Sequence, residues 1–344
     1  MFSYITLEKF GNFSSLNWEN HHKLNVIIGE NDTGKTYLIK LLYCLAKTVE
    51  EFTKREQSHR QAWRDILAEK LFWVYQPESN KLGELVKKSE SRLKVEARLS
   101  EDDYYFAFGK DTTRQITDCT EIAAKKPGLN ALFIPPKEVL TAFDAIAAIN
   151  EQLEIFGFDH TYYDLIKALR LPTTKGNIHK KIKDILSSLT DILTGEITKE
   201  QDKFIFKRGR EKYGMSQVAE GFKKIGIFTT LIRNRTLNQG TILFIDEPEA
   251  NLHPYAITAM VDILFDLSQA GIQVYLSTHS YSAIKRFEIL ARKHQESIQL
   301  CSLIKSEREI NAQFSDLREG MPDNPIIDAA IKLYEDDVKL ELES

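Results

Sequence analysis

The sequence has few cysteines and no long apolar segment, and both absences exclude classes of protein. Cys44, Cys119 and Cys301 lie far apart without metal-ligand spacing, so no disulfide framework is predicted. No segment approaches the ~20 apolar residues that a transmembrane helix requires. The N-terminus lacks the apolar core of a signal peptide, because Glu8 and Lys9 come early. These absences predict a cytoplasmic protein that does not contact a membrane.

An excess of positive charge is also lacking. The chain has 46 basic and 50 acidic residues, a net charge of −4, so it has no global attraction for nucleic acid. Internal repeats, low-complexity tracts and sustained heptads are absent as well, which argues against a long coiled-coil arm. What is present is 344 residues with 42% hydrophobic content, enough to build the core of one large domain or two modest ones.

Apolar runs and helical periodicities alternate along much of the chain. Strands are predicted at 2–9, 24–28, 93–99, 104–108, 131–134, 241–245 and 273–277, with 93–108 forming a hairpin. Helices are predicted from 35, from about 137 to 193 with a break at 172–176, at 219–237 and 256–267, from 282 and at 326–334. Strands that alternate with helices predict an α/β fold with a mainly parallel sheet.

A complete phosphate-binding motif follows the second strand. G-x-x-x-x-G-K-[ST] is matched by Gly29, Glu30, Asn31, Asp32, Thr33, Gly34, Lys35 and Thr36, and Tyr37 follows it in the helix. The glycines let backbone N–H groups point at phosphate oxygens, Lys35 reaches the β- and γ-phosphates, and Thr36 coordinates Mg²⁺. The alternative is a glycine-containing turn without a ligand. The buried strand before the motif and the amphipathic helix after it favour nucleotide binding.

Two later strands end in residues that suit phosphate chemistry. The strand 241–245 leads into Asp246, a candidate Mg²⁺ ligand, and Glu247, a candidate base for the attacking water. The strand 273–277 leads towards His279, which could contact the γ-phosphate. Adjacent acids can also form a solvated turn, and a lone histidine is more often structural. The acidic pair and His279 are both predicted to act together with the phosphate loop. Lys35, Glu247 and His279 are therefore the catalytic candidates.

These motifs together resemble the ABC ATPase superfamily, in its soluble branch with SMC, RecF and OLD-type proteins. The resemblance rests on GENDTGKT at 29–36, FIDEPEANLHP at 244–254 and LSTHS at 276–280. It implies a P-loop ABC ATPase head with a mainly parallel central sheet, an N-terminal antiparallel β subdomain and a mixed α/β insertion. It also implies ATP and Mg²⁺ as ligands and a dimer interface near 248–254.

The domain division that follows is discontinuous. Residues 1–70 and 200–320 are predicted to form the ATPase core. Residues 71–199 are predicted to form an inserted β-hairpin and helical subdomain, and 321–344 a C-terminal helix that packs on the head and an acidic tail.

The sequence departs from the family at the serine–glycine signature that contacts the partner subunit's ATP. Gly221 is present, but Ala219 stands where the serine is expected. Either Ser216 takes that role, or Glu220 and Gly221 with the following lysines replace it. Gln76 is a candidate for the family's Mg²⁺-sensing glutamine, although Gln76-Pro77 could equally be a plain turn.

The function implied is Mg²⁺-dependent ATP binding and hydrolysis that drives head-to-tail dimerisation. The resemblance suggests a homodimer or higher even oligomer, in DNA maintenance or anti-phage defence, with a separate nuclease or toxin as effector. The rival interpretations are a transporter's nucleotide-binding subunit and an ATP-binding scaffold with little turnover.

Contact with DNA or RNA is a further hypothesis. It rests on two local basic patches, at 207–212 with Lys223, Lys224, Arg233 and Arg235, and at 175–183. Charge runs are usually solvated faces, so both explanations stay open.

Overall fold

The computed structural model describes residues 1–54, 62–120, 128–200, 203–306 and 309–343. The described strands are β1 (Phe2–Phe10), β2 (Phe13–Glu19), β3 (Leu24–Gly29), β4 (Arg92–Leu99), β5 (Asp102–Gly109), β6 (Asp118–Cys119), β7 (Asn130–Ile134), β8 (Glu196–Glu200), β9 (Lys203–Arg208), β10 (Glu211–Gly214), β11 (Thr241–Asp246), β12 (Gln273–Ser277), β13 (Gln299–Lys305) and β14 (Ile310–Asp316). The described helices are α1 (Lys35–Lys54), α2 (Trp63–Tyr75), α3 (Phe143–Ala148), α4 (His160–Arg170), α5 (Lys180–Leu193), α6 (Glu220–Arg233), α7 (Pro254–Gln269), α8 (Tyr281–His294) and α9 (Pro325–Glu343). Shorter helical turns lie at Leu82–Leu85, Ile149–Leu153 and Met215–Gln217.

A six-stranded sheet with the order β14-β13-β3-β12-β11-β7 forms the centre of the fold. All neighbouring pairs in it are parallel except β13 and β14. Ser277 at the end of β12 is in register with Ile27 of β3 and with Asp246 of β11. The predicted mainly parallel sheet is therefore confirmed, and the carboxyl ends of β3, β12 and β11 meet at one edge.

Apolar layers cover both faces of this sheet, which explains the continuous apolar runs of its strands. Successive residues of β11 alternate between the layers: Leu243 and Ile245 face one core cluster, and Ile242 and Phe244 face the other. The first layer contains residues of α4 to α8. The second contains residues of α1, α2 and the antiparallel sheet β2-β1-β4-β5-β6.

The segment 71–199 contributes strands to all three sheets, since β8, which begins at Glu196, belongs to the small sheet β10-β9-β8. Its predicted hairpin is present as β4 and β5, but β4 pairs with β1 of the N-terminal sheet. β7 pairs in parallel with β11 and forms an edge of the central sheet. The division into a core and an insertion stays a prediction, and hydrogen-bonded strands cross its proposed boundary. Apolar patterns predict that a strand exists and do not say which strand it pairs with.

Two helices differ in length from the predictions. α6 ends at Arg233 instead of reaching Leu237, because Arg235 takes a left-handed backbone conformation with φ 67°. α9 continues through the acidic residues 335–337 to Glu343, so most of the predicted tail is helical, and Ser344 lies outside the described residues. Within the described ranges, no helix combines the length and the apolar character needed to cross a bilayer.

A histidine links the N-terminal sheet to the central sheet. The ring of His21 stacks on Trp18 with 4.5 Å between ring centroids. Its Nδ1 lies 2.6 Å from the Tyr275 hydroxyl oxygen, and its Nε2 lies 3.1 Å from the Trp18 carbonyl oxygen. Burial lowers the pKa of His21 from 6.5 to about 3. The folded protein therefore holds this ring neutral.

We expect His21 to make stability depend on pH. Below pH 6.5 the unfolded chain takes up a proton that the folded chain does not bind until about pH 3. The stability that neutral His21 contributes is thus present above pH 6.5 and is lost as pH falls towards 3, by about 1.4 kcal/mol per pH unit. Urea unfolding at pH 7.5, 6.0 and 5.0 should show a steeper loss for the wild type than for His21→Gln. Equal slopes would refute the assignment.

Candidate active site

The phosphate loop joins β3 to α1, and its two glycines are required by its shape. Gly29 has φ +155°, and a Cβ there would lie 2.6 Å from the carbonyl oxygen of Leu303. Gly34 has φ +85°, and its Cβ would lie 3.0 Å from the ring of the buried Phe13. Thr33 Oγ1 donates to the Glu30 carbonyl oxygen at 2.9 Å and closes the turn. The loop therefore packs closely on its surroundings.

Lys35 is a buried cation held by the loop itself. Its side chain donates to the carbonyl oxygens of Gly29 at 2.9 Å and Glu30 at 2.7 Å. Burial lowers the pKa of the Lys35 ammonium, and the negative charges of Glu247 and Asp246 oppose that shift. Lys35 also begins α1, whose first N–H groups have no acceptor within the helix. A cation and free N–H groups together favour a bound anion.

Asp246 at the end of β11 is fixed by two hydroxyl groups, one from the first turn of α1 and one from the end of β12. Thr36 Oγ1 donates to Asp246 Oδ2 at 3.0 Å, and Ser277 Oγ donates to Oδ1. The carboxylate is buried. The structure thus places the hydroxyl and the carboxylate that were both predicted to hold Mg²⁺ in direct contact.

Glu247 and His279 lie next to this carboxylate. Glu247 has a left-handed backbone with φ 49°, and its N–H donates to the Ser277 carbonyl oxygen at 3.1 Å. His279 Nε2 lies 3.4 Å from Glu247 Oε1. Glu247 and His279, which follow β11 and β12, therefore lie next to each other.

These side chains open onto a cavity of about 510 Å³. Its lining residues are Asn12, Asn31, Asp32, Gly34, Lys35, Thr36, Tyr37, Glu247 and His279. All but Asn12 were predicted from the sequence. Asn12 lies in the turn between β1 and β2, and its side-chain amide donates to the Asp32 carbonyl oxygen at 3.3 Å. No sequence signal marks it, because its position depends on how the N-terminal sheet packs on the loop.

The structure does not bring Gln76, Ser216 or Gly221 to this cavity. Gln76 ends α2 in a left-handed conformation, which turns its side chain so that Oε1 accepts from the Gly157 N–H at 3.2 Å. Ser216 lines a separate cavity of about 190 Å³, and Gly221 packs against Leu252. The role of Gln76 as a Mg²⁺ ligand stays a prediction. The roles of Ser216 and Gly221 towards a partner's nucleotide stay predictions.

Ser277 and Glu249 support the site without a predicted role, whereas Lys224 was predicted only as part of a basic patch or of a replacement for the signature serine. Ser277 and Glu249 lie inside the motif segments 276–280 and 244–254, so their position in the sequence could have indicated them. Lys224 on α6 has no such signal, because only folding brings it to the turn after β11.

Many cations of the larger basic patch are paired with nearby acids or carbonyl groups. The patch 207–212 lies on the β9–β10 hairpin, where Lys207 and Lys212 both form ion pairs with Glu200. Arg233 pairs with Glu196. Arg235 donates to carbonyl oxygens of 176–177. This pairing reduces the charge available to phosphates, and nucleic-acid contact stays a hypothesis.

The chain is similar to a known protein family and, over a short stretch, to a known protein. The family described as "AAA domain, putative AbiEii toxin, Type IV TA system" matches residues 24–285. A stretch of 62 residues is 47% identical to the Old nuclease of Escherichia phage P2 and spans 18% of this chain but only 10% of that protein.

Two solved SMC heads have a similar fold. One is bound to the C-winged helix domain of ScpA, with a TM-score of 0.53, 11% identity, and coverage of 93% of this chain and 99% of that one. The other is bound to the C-terminal domain of ScpA derived from Pyrococcus furiosus, with a TM-score of 0.50, 10% identity, and coverage of 97% and 98%. At these identities the likeness shows the α/β head fold.

We expect Gly34→Ala to damage the loop more than a matched change elsewhere. Gly34 and Gly209 both have positive φ, but a Cβ at Gly34 meets Phe13, whereas nothing lies within 4 Å of a Cβ at Gly209. Gly34→Ala should lower the free energy of unfolding by about 1–3 kcal/mol more than Gly209→Ala, and only Gly34→Ala should weaken binding of a fluorescent ATP analogue. Equal losses of stability with unchanged affinity would contradict the packing argument.

Proposed function

The chain belongs to the AAA-domain family whose model matches residues 24–285, as an SMC/OLD-like P-loop ATPase of the ABC type, and we propose that it binds and hydrolyses ATP with Mg²⁺. One observation carries the proposal: the 3.0 Å contact between Thr36 and Asp246 joins the phosphate loop to the acidic strand end. Glu247 and His279 line the same cavity as the loop. Binding and catalytic groups thus surround one space.

The loop fits a triphosphate. Lys35 donates to two loop carbonyl oxygens. Phosphate oxygens would replace these neutral acceptors and form stronger hydrogen bonds, because donor and acceptor would then carry opposite charges. The N–H groups at the start of α1 would bind further phosphate oxygens. Asn12 and Tyr37 also line the cavity and would contact the remainder of the nucleotide.

Thr36 and Asp246 fit a magnesium ion that shares its ligands with phosphate. In the part of the chain that the structure describes, no group of three or more His, Cys, Asp or Glu side chains could hold a metal by itself. Mg²⁺ commonly takes one or two protein oxygens and completes its shell with water and phosphate oxygens. When bound, it would neutralise phosphate charge. The pair is suited to such partial coordination.

Glu247 is suited to orient the attacking water and accept its proton. The Glu247 N–H donates to Ser277, and this contact fixes the backbone from which the carboxylate projects. His279, 3.4 Å away, would hold a γ-phosphate oxygen beside that water. A positioned base and a positioned phosphate would add to this charge neutralisation in promoting phosphoryl transfer to water.

We expect Glu247→Gln to lower the ATP turnover number by about 10²–10⁴-fold, because the amide cannot accept the proton. Affinity for a fluorescent ATP analogue should be retained, since Lys35 and Thr36 are unchanged. Glu101→Gln, in the exposed turn between β4 and β5, is the matched control and should hydrolyse ATP at the wild-type rate. Phosphate release measures both, and an unchanged rate in Glu247→Gln would show that the base is misassigned.

We propose that ATP acts as a switch on head-to-tail dimerisation. Ser216 and Gly221 lie away from the chain's own phosphate loop cavity, which supports a role towards a partner's nucleotide. Glu247→Gln with ATP and Mg²⁺ should then accumulate as a dimer in light scattering. The same variant without nucleotide should stay monomeric, and a single mass under both conditions would contradict the switch.

The biological role we propose is a regulatory ATPase in DNA maintenance or anti-phage defence. The names of similar proteins support it: one is a nuclease, and the solved SMC heads are bound to domains of ScpA. A separate effector, a nuclease or a toxin, would complete the system. Affinity capture from the native host, with and without ATP, tests this role.

The two rival functions predict different experimental results. A transporter subunit would be captured together with a membrane protein, and a scaffold would bind ATP without releasing phosphate. Gel shifts with double-stranded DNA, single-stranded DNA and RNA at low and moderate salt test the nucleic-acid hypothesis. The absence of any shift and of any stimulation of turnover would remove it.

A further inference from the structure

Glu249 lies in the turn after β11, and its carboxylate contacts Thr278 and His279, the residues that follow β12. Its Oε1 accepts two hydrogen bonds, from Thr278 Oγ1 at 2.7 Å and from the His279 N–H at 2.7 Å. Its Oε2 is buried without a hydrogen-bond partner among the described residues. Glu249 is also absent from the lining of the 510 Å³ cavity. The carboxylate therefore acts on the backbone of His279 and does not face the nucleotide space.

Lys224 of α6 fixes the turn that carries Glu249. Its ammonium donates to the carbonyl oxygens of Pro248 at 3.1 Å and Ala250 at 2.9 Å, and more weakly to that of Glu247 at 3.4 Å. The side chain is buried, and burial lowers the pKa of Lys224 to about 8. The turn is thereby held on the α6 side while Glu249 extends towards His279.

The backbone of His279 lies between two fixed neighbours. Thr278 extends the β12–β3 pairing, since its N–H donates to the Ile27 carbonyl oxygen at 3.0 Å. Ser280 caps α8 by accepting from the Ala283 N–H. Between them, the His279 N–H donates to Glu249 Oε1, and this contact sets the peptide plane from which the imidazole projects.

We propose that Glu249 is a positioning residue for the ATP hydrolysis proposed above, and that it acts through His279. It orients the His279 backbone so that the imidazole stays beside Glu247 and the γ-phosphate. The inference rests on the proposed function. A displacement of about 1 Å of a reacting group can cost on the order of a hundredfold in rate.

The unpaired Oε2 makes the test selective. Glu249→Gln keeps the accepting oxygen and changes only the atom that has no partner, so it should retain turnover within about threefold. Glu249→Ala removes the acceptor and should lower the turnover number about ten- to a hundredfold, with little change in KM because Lys35 and Thr36 are untouched. Glu101→Ala serves as the control for loss of an exposed acid. Equal losses in the Gln and Ala variants would overturn the proposal.

A double-mutant cycle separates positioning from general destabilisation. If Glu249 acts through His279, Glu249→Ala should cost at least tenfold in the wild type but less than about twofold in the His279→Ala background. The same cost in both backgrounds would overturn the proposal, as would wild-type turnover in Glu249→Ala. If Glu249→Ala shows no cooperative thermal transition, Glu249→Asp, one methylene shorter, replaces it in the same cycle. A wild type that binds ATP but releases no phosphate would instead overturn the proposed function, and this inference with it.

Discussion

The hydrogen bond between Thr36 and Asp246 joins residues that are 210 positions apart, and the candidate site depends on it. It forms because β3, β12 and β11 are adjacent and parallel, so their carboxyl ends meet at one edge of the sheet. Ser277 from the middle strand donates to the same carboxylate. Any change of register in this sheet would move the acid away from the phosphate loop.

Tight packing around the strand ends allows the loops there to adopt costly backbone conformations. Asp32 and Glu247 both have positive φ, a conformation that costs energy for a residue with a Cβ and persists only where the surroundings determine it. Phe13 of the N-terminal sheet packs against Gly34, and Leu303 of β13 packs against Gly29. The strained loop is thus stabilised by residues far from it in sequence.

The turn after β11 and helix α6 form a second packed unit behind the site. Lys224 donates to carbonyl oxygens of the turn, and Gly221, one helical turn earlier, packs against Leu252. A basic residue buried against carbonyl groups replaces its hydration with several directed hydrogen bonds. The turn that carries Glu247 is therefore supported by residues that do not line the nucleotide cavity.

The sequence by itself determined the features that depend on local order. These are the phosphate loop, the apolar strands that lead to Asp246 and His279, and most helices, because each follows from residue spacing within one segment. Only the tertiary structure decided which strands are neighbours, including β4 beside β1 and β7 beside β11. It also placed Gln76 away from the cavity and brought Asn12, Lys224 and Glu249 to their positions. Such contacts depend on packing between distant segments, which the local sequence pattern does not encode.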